Sequence, residues 1–333
     1  MAPLGAPPGA TSDPSAGEAA ALRSFLAPGG DDPWAATIDR RLVHRRTVAD
    51  VLITALRPRG EGEAVIAAQW PRAQPFYRAI PNGSYDASLV VETLRQAGLA
   101  LSHRQLGVEV GRKFLLSDFR VEIVDARRLL VGAEPADLLL ASRFTDVRTR
   151  AGVVRSGRME ARLYRDGGVV AQTDAGFTCM DIATYERVMR APLGGEHAAH
   201  GAGCRRAADP ADVGRRDDED VLLCRCADRG TWGLRVSPQH PALFDHPLDH
   251  VPGMALFEAC RQAALLARGG KPTGFDAADI AFSGLVPLRT PAVLECTPEG
   301  ERIGVAVWDR DMIRASASFV FGATAELTEH RGA

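Results

Sequence analysis

Apolar residues recur at helical spacing in two places along this chain, and each place is followed by several alternating, strand-like runs. The second helix is the plainer one. Residues 245–253 are charged and turn-prone and close on Pro252-Gly253, after which 254–264 run through Ala, Leu, Met and Phe without a breaker. Glu258, Arg261 and Gln262 interrupt that run at i, i+3 and i+4, which puts them on one helix face. Charges on a core-like helix cost free energy unless they are paired or used.

The same Glu-x-x-Arg-Gln-Ala string stands at Glu92, Arg95, Gln96 and Ala97, 166 positions earlier (258 − 92), on a helix predicted over about 86–103. Repetition at half the chain length means two copies of one domain. Strands are predicted at 64–70 before the first helix and at 119–124, 137–144, 157–165 and 169–180 after it, with Asp166-Gly167-Gly168 as a hairpin turn. The second helix is bracketed by predicted strands at 233–236, 279–282, 293–296, 302–308 and 313–321. The pattern therefore predicts an α+β fold, a long helix with a curved antiparallel sheet, built twice.

Boundaries follow from composition. Residues 1–40, rich in Ala, Pro, Gly and Ser, are expected to be mostly disordered around a short helix near 18–25. A first domain spans 41–188. Residues 189–219, with Gly194-Gly195 and the charged run 215–219, read as an exposed interdomain linker. A second domain spans 220–325, and 326–333 form a tail.

With 333 residues, 46% of them hydrophobic, the chain can bury two cores of ordinary size. A formal net charge of −2 suggests neither nucleic acid nor an anionic membrane as partner. The six cysteines show no framework spacing, so reduced thiols and a cytoplasmic location are expected. No apolar run reaches membrane-spanning length. His197 and His200 lack the carboxylates or cysteines of a metal site, and neither metal nor cofactor is expected.

His250, just ahead of Pro252-Gly253 at the helix entrance, is the best placed candidate for chemistry. The Glu-x-x-Arg pairs can be functional or can be structural ion pairs pinning the helices. Cys260 is expected to be a core thiol, because adjacent helix residues diverge by about 100°.

His250-x-Pro252-Gly253 followed by Glu258 is similar to the active-site string of β-hydroxyacyl-ACP dehydratases. A closer resemblance covers both copies, from about 42 to 321. Val43-His44-Arg45, Ala68-Gln69-Trp70-Pro71-Arg72, Phe76-Tyr77, residues 86–96 and residues 244–263 resemble the A-factor biosynthesis (AfsA) family of γ-butyrolactone signal synthases from actinobacteria. The resemblance implies a tandem (double) hotdog fold. It also implies acyl transfer from a β-ketoacyl thioester on acyl carrier protein to dihydroxyacetone phosphate. The resulting 2-oxo-3-phosphooxypropyl 3-oxoalkanoate would close to a butenolide phosphate, the first committed step toward a γ-butyrolactone or related furan signal controlling secondary metabolism.

Such chemistry needs a base, oxyanion donors and cations for phosphate. His250, Glu258 or Glu92 would be the base, the Gly253 amide an oxyanion donor, and Arg261 and Arg95 the phosphate ligands, with Gln262 and Gln96 beside them. The first copy carries Ser84 and Ala87 where the second has His250 and Gly253. One complete site is therefore expected, on the second helix and finished by Glu92 and Arg95. A homodimer of the tandem is compatible with this reading. Two other readings are a hotdog dehydratase or thioesterase, which leaves the paired arginines unexplained, and a non-catalytic regulatory module.

Overall fold

In the computed structural model, the structure describes residues 16–26, 31–190, 206–226, 230–245, 248–288 and 290–322. The first half contains strands β1 (Ile53–Gly60) and β2 (Glu63–Trp70), helix α2 (Ser88–Gln105), strands β3 (Lys113–Ile123), β4 (Ala136–Arg150), β5 (Val153–Arg165) and β6 (Gly168–Met180), and helix α3 (Ile182–Arg190). The second contains β7 (Leu223–Arg225), β8 (Thr231–Leu234), helix α4 (Gly253–Ala267), and β9 (Ala277–Phe282), β10 (Ala292–Glu299), β11 (Arg302–Asp309) and β12 (Met312–Val320). All twelve strands join one sheet in the order β1-β2-β4-β5-β6-β3-β9-β12-β11-β10-β8-β7. Read inward from either edge, each half contributes its strands in the same sequence. The halves meet where β3 pairs antiparallel with β9, Phe119 opposite Ile280.

Both long helices lie against this sheet, because both are apolar almost all round. In α4 every residue from Met254 to Leu265 is buried. Phe119 of the first half packs on Phe257 of α4 at 5.0 Å between ring centroids, and Phe257 continues to Phe275 and Phe319, so the core runs unbroken across the junction. The Asp166-Gly167 turn has φ of 50° and 75°, the left-handed pair that a two-residue hairpin requires. β1 was not predicted, since it contains Pro58; at the sheet edge a missing N–H breaks no ladder bond.

Packing qualifies two expectations. The short helix expected near 18–25 forms, and it is docked on the sheet. Residues 1–15 and 27–30 lie outside the described residues, but helix α1 (Ala16–Phe25) buries Ala21 and Phe25 against Val65, Ala67, Leu139 and Tyr164. These sheet residues alternate with the inward-facing Ala64, Ile66 and Ala68, so α1 covers the other face. Trp34 then donates from Nε1 to the Ala68 carbonyl at 3.1 Å.

The linker expected over 189–219 is also corrected. Residues 191–205 lie outside the described residues. From Arg206 the chain repeats the fold of 40–52: a 3₁₀ turn at Ala211–Val213 matches Arg40–Val43, and one at Asp218–Asp220 matches Val48–Asp50. Each first turn ends on a left-handed residue, His44 (φ 53°) or Gly214 (φ 68°). The second repeat thus begins before 220, and Arg215 within it is buried.

Cys224 is disulfide-bonded, against the expectation of reduced thiols throughout, while Cys179, Cys260 and Cys296 are free thiols. Burial pushes the Cys260 thiol well up, in keeping with a core role. Among the described residues no helix is long and apolar enough to cross a membrane, and no cluster of metal-ligating side chains occurs.

Candidate active site

The repeated Glu-x-x-Arg-Gln face builds two ionic knots. On α4, Glu258 accepts from Arg261 at 2.8 Å to each oxygen, from Arg215 at 2.9 and 2.7 Å, and from Gln262 at 2.7 Å. Gln262 also donates to the Asp220 carbonyl and accepts from the Leu222 amide, both at 2.8 Å. Arg215 reaches across to the first half, donating to Asp86 Oδ2 at 2.9 Å and to the Phe76 carbonyl at 3.2 Å.

The first half repeats this wiring. Glu92 accepts from Arg95 at 2.8 Å to each oxygen, from Arg45 at 2.7 Å and from Gln96 at 2.7 Å. Gln96 donates to the Asp50 carbonyl and accepts from the Leu52 amide, and Arg45 reaches the Ala242 carbonyl of the second half at 3.2 Å.

Burial alone would raise the Glu258 and Glu92 carboxyls, but their two arginines more than offset it and hold both below the usual range. Both are held as anions, Glu258 by five hydrogen bonds and Glu92 by four.

Glu258, Arg261, Gln262, Glu92 and Gln96 do not line the large cavity described next, whereas Arg95 does, with its guanidinium spent on Glu92. This wiring favours the structural ion-pair alternative over a role for Glu258 or Glu92 as base and for Arg261 as phosphate ligand: these groups pin each helix to the chain segment that precedes it. Arg45 and Arg215, the arginines that complete the knots, were missed. Their signal was legible as Val-x-Arg-Arg at 43–46 and again at 213–216, offset by 170 positions (213 − 43) where the helices are offset by 166.

The cavity, about 760 Å³, opens between the halves. Leu94, Phe114, Leu116, Met159 and Phe177 of the first half and Leu243, Met254, Leu256 and Phe282 of the second give it apolar walls. His250, Pro252 and Gly253 stand on its lining where α4 begins. His250 is held by its backbone, since Val251 donates to Val286 at 2.8 Å and His250 bridges Pro287.

His250 Nδ1 lies 2.8 Å from the Tyr185 hydroxyl and 3.0 Å from Asp249 Oδ1, and that hydroxyl donates to the same Asp249 oxygen at 2.6 Å. Burial works to raise Asp249, but the bonds from Tyr185 and His250 prevail and keep it ionised and acceptor-only. Burial and Asp249 push the Tyr185 hydroxyl well up, so it stays a donor. The triangle is satisfied when Nδ1 carries the ring proton, which leaves the Nε2 lone pair able to accept one. Asp249 stood beside His250 in the sequence without a role; Tyr185, on α3, had no sequence signal at all.

Gly253 opens α4. Pro252, its N-cap, provides no side-chain cap, so the positive end of the helix faces the cavity with its amides unmasked by a side chain. A Cβ on Gly253 would sit 3.3 Å from Phe282 Cζ and narrow the approach. A proton acceptor, an unmasked helix N-terminus and an apolar bay meeting at one point suit attack on the carbonyl of an apolar acyl group.

Comparisons with known proteins identify the family and the fold. The A-factor biosynthesis hotdog domain of the AfsA family matches residues 26–181 and 197–276, one match in each half. The 2-oxo-3-(phosphooxy)propyl 3-oxoalkanoate synthase of Streptomyces virginiae is 38% identical over 265 residues, covering 79% of this chain and 87% of its own. The synthase of the same name from Streptomyces coelicolor is 34% identical over 235 residues, 69% of this chain and 72% of its own. Among solved structures, the 12:0-ACP thioesterase from Umbellularia californica has a TM-score of 0.50 at 11% identity, covering 79% of this chain and 98% of its own, a likeness of fold. The double hotdog that the resemblance implied is thus the fold observed, and the chain belongs to the AfsA family of A-factor biosynthesis hotdog proteins.

Proposed function

We propose that this protein is an acyltransferase that joins a β-ketoacyl group, delivered as a thioester on acyl carrier protein, to a hydroxyl of dihydroxyacetone phosphate. The observation that carries the reading is the Asp249-Tyr185-His250 triangle at the bare N-terminus of α4, on the wall of an apolar cavity drawn from both halves. His250 Nε2 takes the proton as the hydroxyl oxygen attacks the thioester carbon. The first-turn amides of α4, Gly253 foremost, stabilise the oxyanion. Collapse breaks the C–S bond, and the proton on His250 passes to the departing sulfur. The product is a 2-oxo-3-phosphooxypropyl 3-oxoalkanoate, which closes to a butenolide phosphate by aldol attack of its activated carbon on the ketone with loss of water. No acyl-enzyme is required, which suits the absence of a role for the buried Cys260.

The likeness to the synthases of Streptomyces supports this acceptor, and the apolar walls support an acyl donor. A cytoplasmic location, where both substrates would be met, belongs to the same proposal. The test is mass spectrometry of products from the purified protein with a β-ketoacyl thioester, with and without dihydroxyacetone phosphate, for wild type and His250→Ala. An ester formed only with the phosphate, and lost in the variant, is expected. Thioester consumed equally well without the acceptor would mean a thioesterase.

A further inference from the structure

The geometry points to Lys113 and Arg112, at the start of β3, as the subsite for the phosphate of the acyl acceptor, an inference that rests on the acyl-transfer reading above. Six basic residues line the cavity: Arg41, Arg45, Arg46, Arg95, Arg112 and Lys113. Arg45 and Arg95 are spent on Glu92, and Arg41 is paired with Asp39. Arg46 is exposed, and its amide holds the Asp245 carboxylate at 2.6 Å, an anion that would repel a phosphate. Lys113 and Arg112 remain.

Their surroundings are those of cations awaiting an anion. Lys113 makes no ion pair among the described residues; its Nζ sits over the Tyr185 ring, 5.3 Å from the centroid. Arg112 donates from Nε to Cys179 Sγ at 3.3 Å, while its Nη2 is buried with no hydrogen-bond partner. A buried guanidinium N–H without an acceptor is a rare and costly state, and it is relieved by a ligand oxygen. The carboxylate that acts on Arg112, Asp181, is itself shared with Arg155 at 3.7 Å.

Position gives the subsite its meaning. The Tyr185 ring neighbours both groups: the ammonium lies over it, 5.3 Å from its centroid, and the His250 ring is 6.0 Å away with Nδ1 touching the hydroxyl at 2.8 Å. Cation and base thus share one aromatic neighbour on the same cavity wall, an arrangement suited to a small acceptor with a phosphate at one end and a reacting hydroxyl at the other. Arginine offers a fork of donors and lysine a point charge, and apolar walls strengthen both toward a dianion. The site is split between the copies: the cations come from the first half, the base and oxyanion donors from the second.

The phosphate could instead be that of the phosphopantetheine arm on acyl carrier protein, so the test uses a β-ketoacyl N-acetylcysteamine thioester, which lacks it. With this donor, the full-length protein is assayed with dihydroxyacetone phosphate and with dihydroxyacetone. Lys113→Ala and Arg112→Ala are each expected to reduce the preference for the phosphorylated acceptor about tenfold or more, through KM, with Lys113→Arg restoring part of it. Inorganic phosphate should inhibit wild type competitively against the phosphorylated acceptor and inhibit Lys113→Ala more weakly.

Equal losses with both acceptors would reduce the pair to a structural role and overturn the assignment. So would an intact acceptor preference combined with a defect seen only when acyl carrier protein is the donor. If wild type esterifies neither acceptor, the acyl-transfer reading has failed. Calorimetric binding of inorganic phosphate then decides the subsite by its loss or retention in Lys113→Ala.

Discussion

The two helix entrances look alike in the sequence and differ in one electrostatic detail. At the start of α2, Asp86 accepts from the Ser88 amide at 2.9 Å and from Arg215 at 2.9 Å, so a carboxylate plugs the positive end of that helix. At the equivalent place before α4 stands Pro252, which has neither charge nor cap, and two positions earlier His250 replaces the buried Ser84. The ionic knots behind the entrances share one plan, two arginines and a glutamine on a buried glutamate, with Arg215 making two bonds to Glu258 where Arg45 makes one to Glu92. What the copies share is scaffold; what they do not share is chemistry.

That contrast can be tested, beginning with its largest consequence. His250→Ala should lower kcat by about 10²- to 10⁴-fold, the usual worth of a positioned general base, with little change in melting temperature. An unaltered rate in the ester-forming assay would remove His250 from the chemistry. Next, Glu258→Ala leaves two buried arginines facing each other and should cost about 3–5 kcal/mol in urea unfolding. Glu92→Ala should cost less, because Arg45 and Arg95 keep 10% and 19% side-chain exposure where Arg215 and Arg261 keep 2% and 3%. A rate per folded molecule that collapses in Glu258→Ala would return that residue to catalysis.

Acid should dissolve the knots only below the ordinary carboxylate range, because their carboxyls are held down by arginines. Burial raises Asp86, but Arg215 and Arg261 overcome this and bring its pKa down to about 2 from an ordinary 3.8. A depressed native value gives stability that is present above the unfolded pKa and lost as pH falls through the native one. Melting temperature should therefore be flat above about pH 5 and drop between roughly pH 4 and pH 2, with Asp86 alone contributing about 2 kcal/mol. A curve flat down to pH 2 would contradict the ionic reading of the knots.

The smallest effect is expected at the open entrance. Gly253→Ala should leave stability unchanged or slightly raised, since alanine is the better helix former. Its methyl group, 3.3 Å from Phe282 Cζ, should cost roughly tenfold in kcat by displacing the acyl carbonyl from the helix amides. The same substitution without effect on rate would mean that the oxyanion is held elsewhere.

Much of the fold was legible because it is written in short-range pattern. The alternating runs became β2 and β4 to β6, Asp166-Gly167-Gly168 became a left-handed hairpin turn, and the Glu-x-x-Arg-Gln string announced the repeat. The segment 206–219 was misread because 3₁₀ turns have no sequence period, and a charged, glycine-containing stretch looks the same whether it is solvated or folded around a buried arginine. The candidate site was half legible. His250 and Gly253 are near neighbours in sequence and were found together, whereas Tyr185 comes from the far end of the other half.

By itself the sequence determined that two equivalent helices would each carry a charged face into a core, since no other element could cover so apolar a surface. Which charges are consumed and which are free was decided only by the tertiary structure. Arg45 and Arg215 are brought to Glu92 and Glu258 by contacts 47 and 43 residues long, and Tyr185 to His250 by one of 65. An ion's role depends on whether its partners fill its valences in space, and spacing along one helix cannot report that.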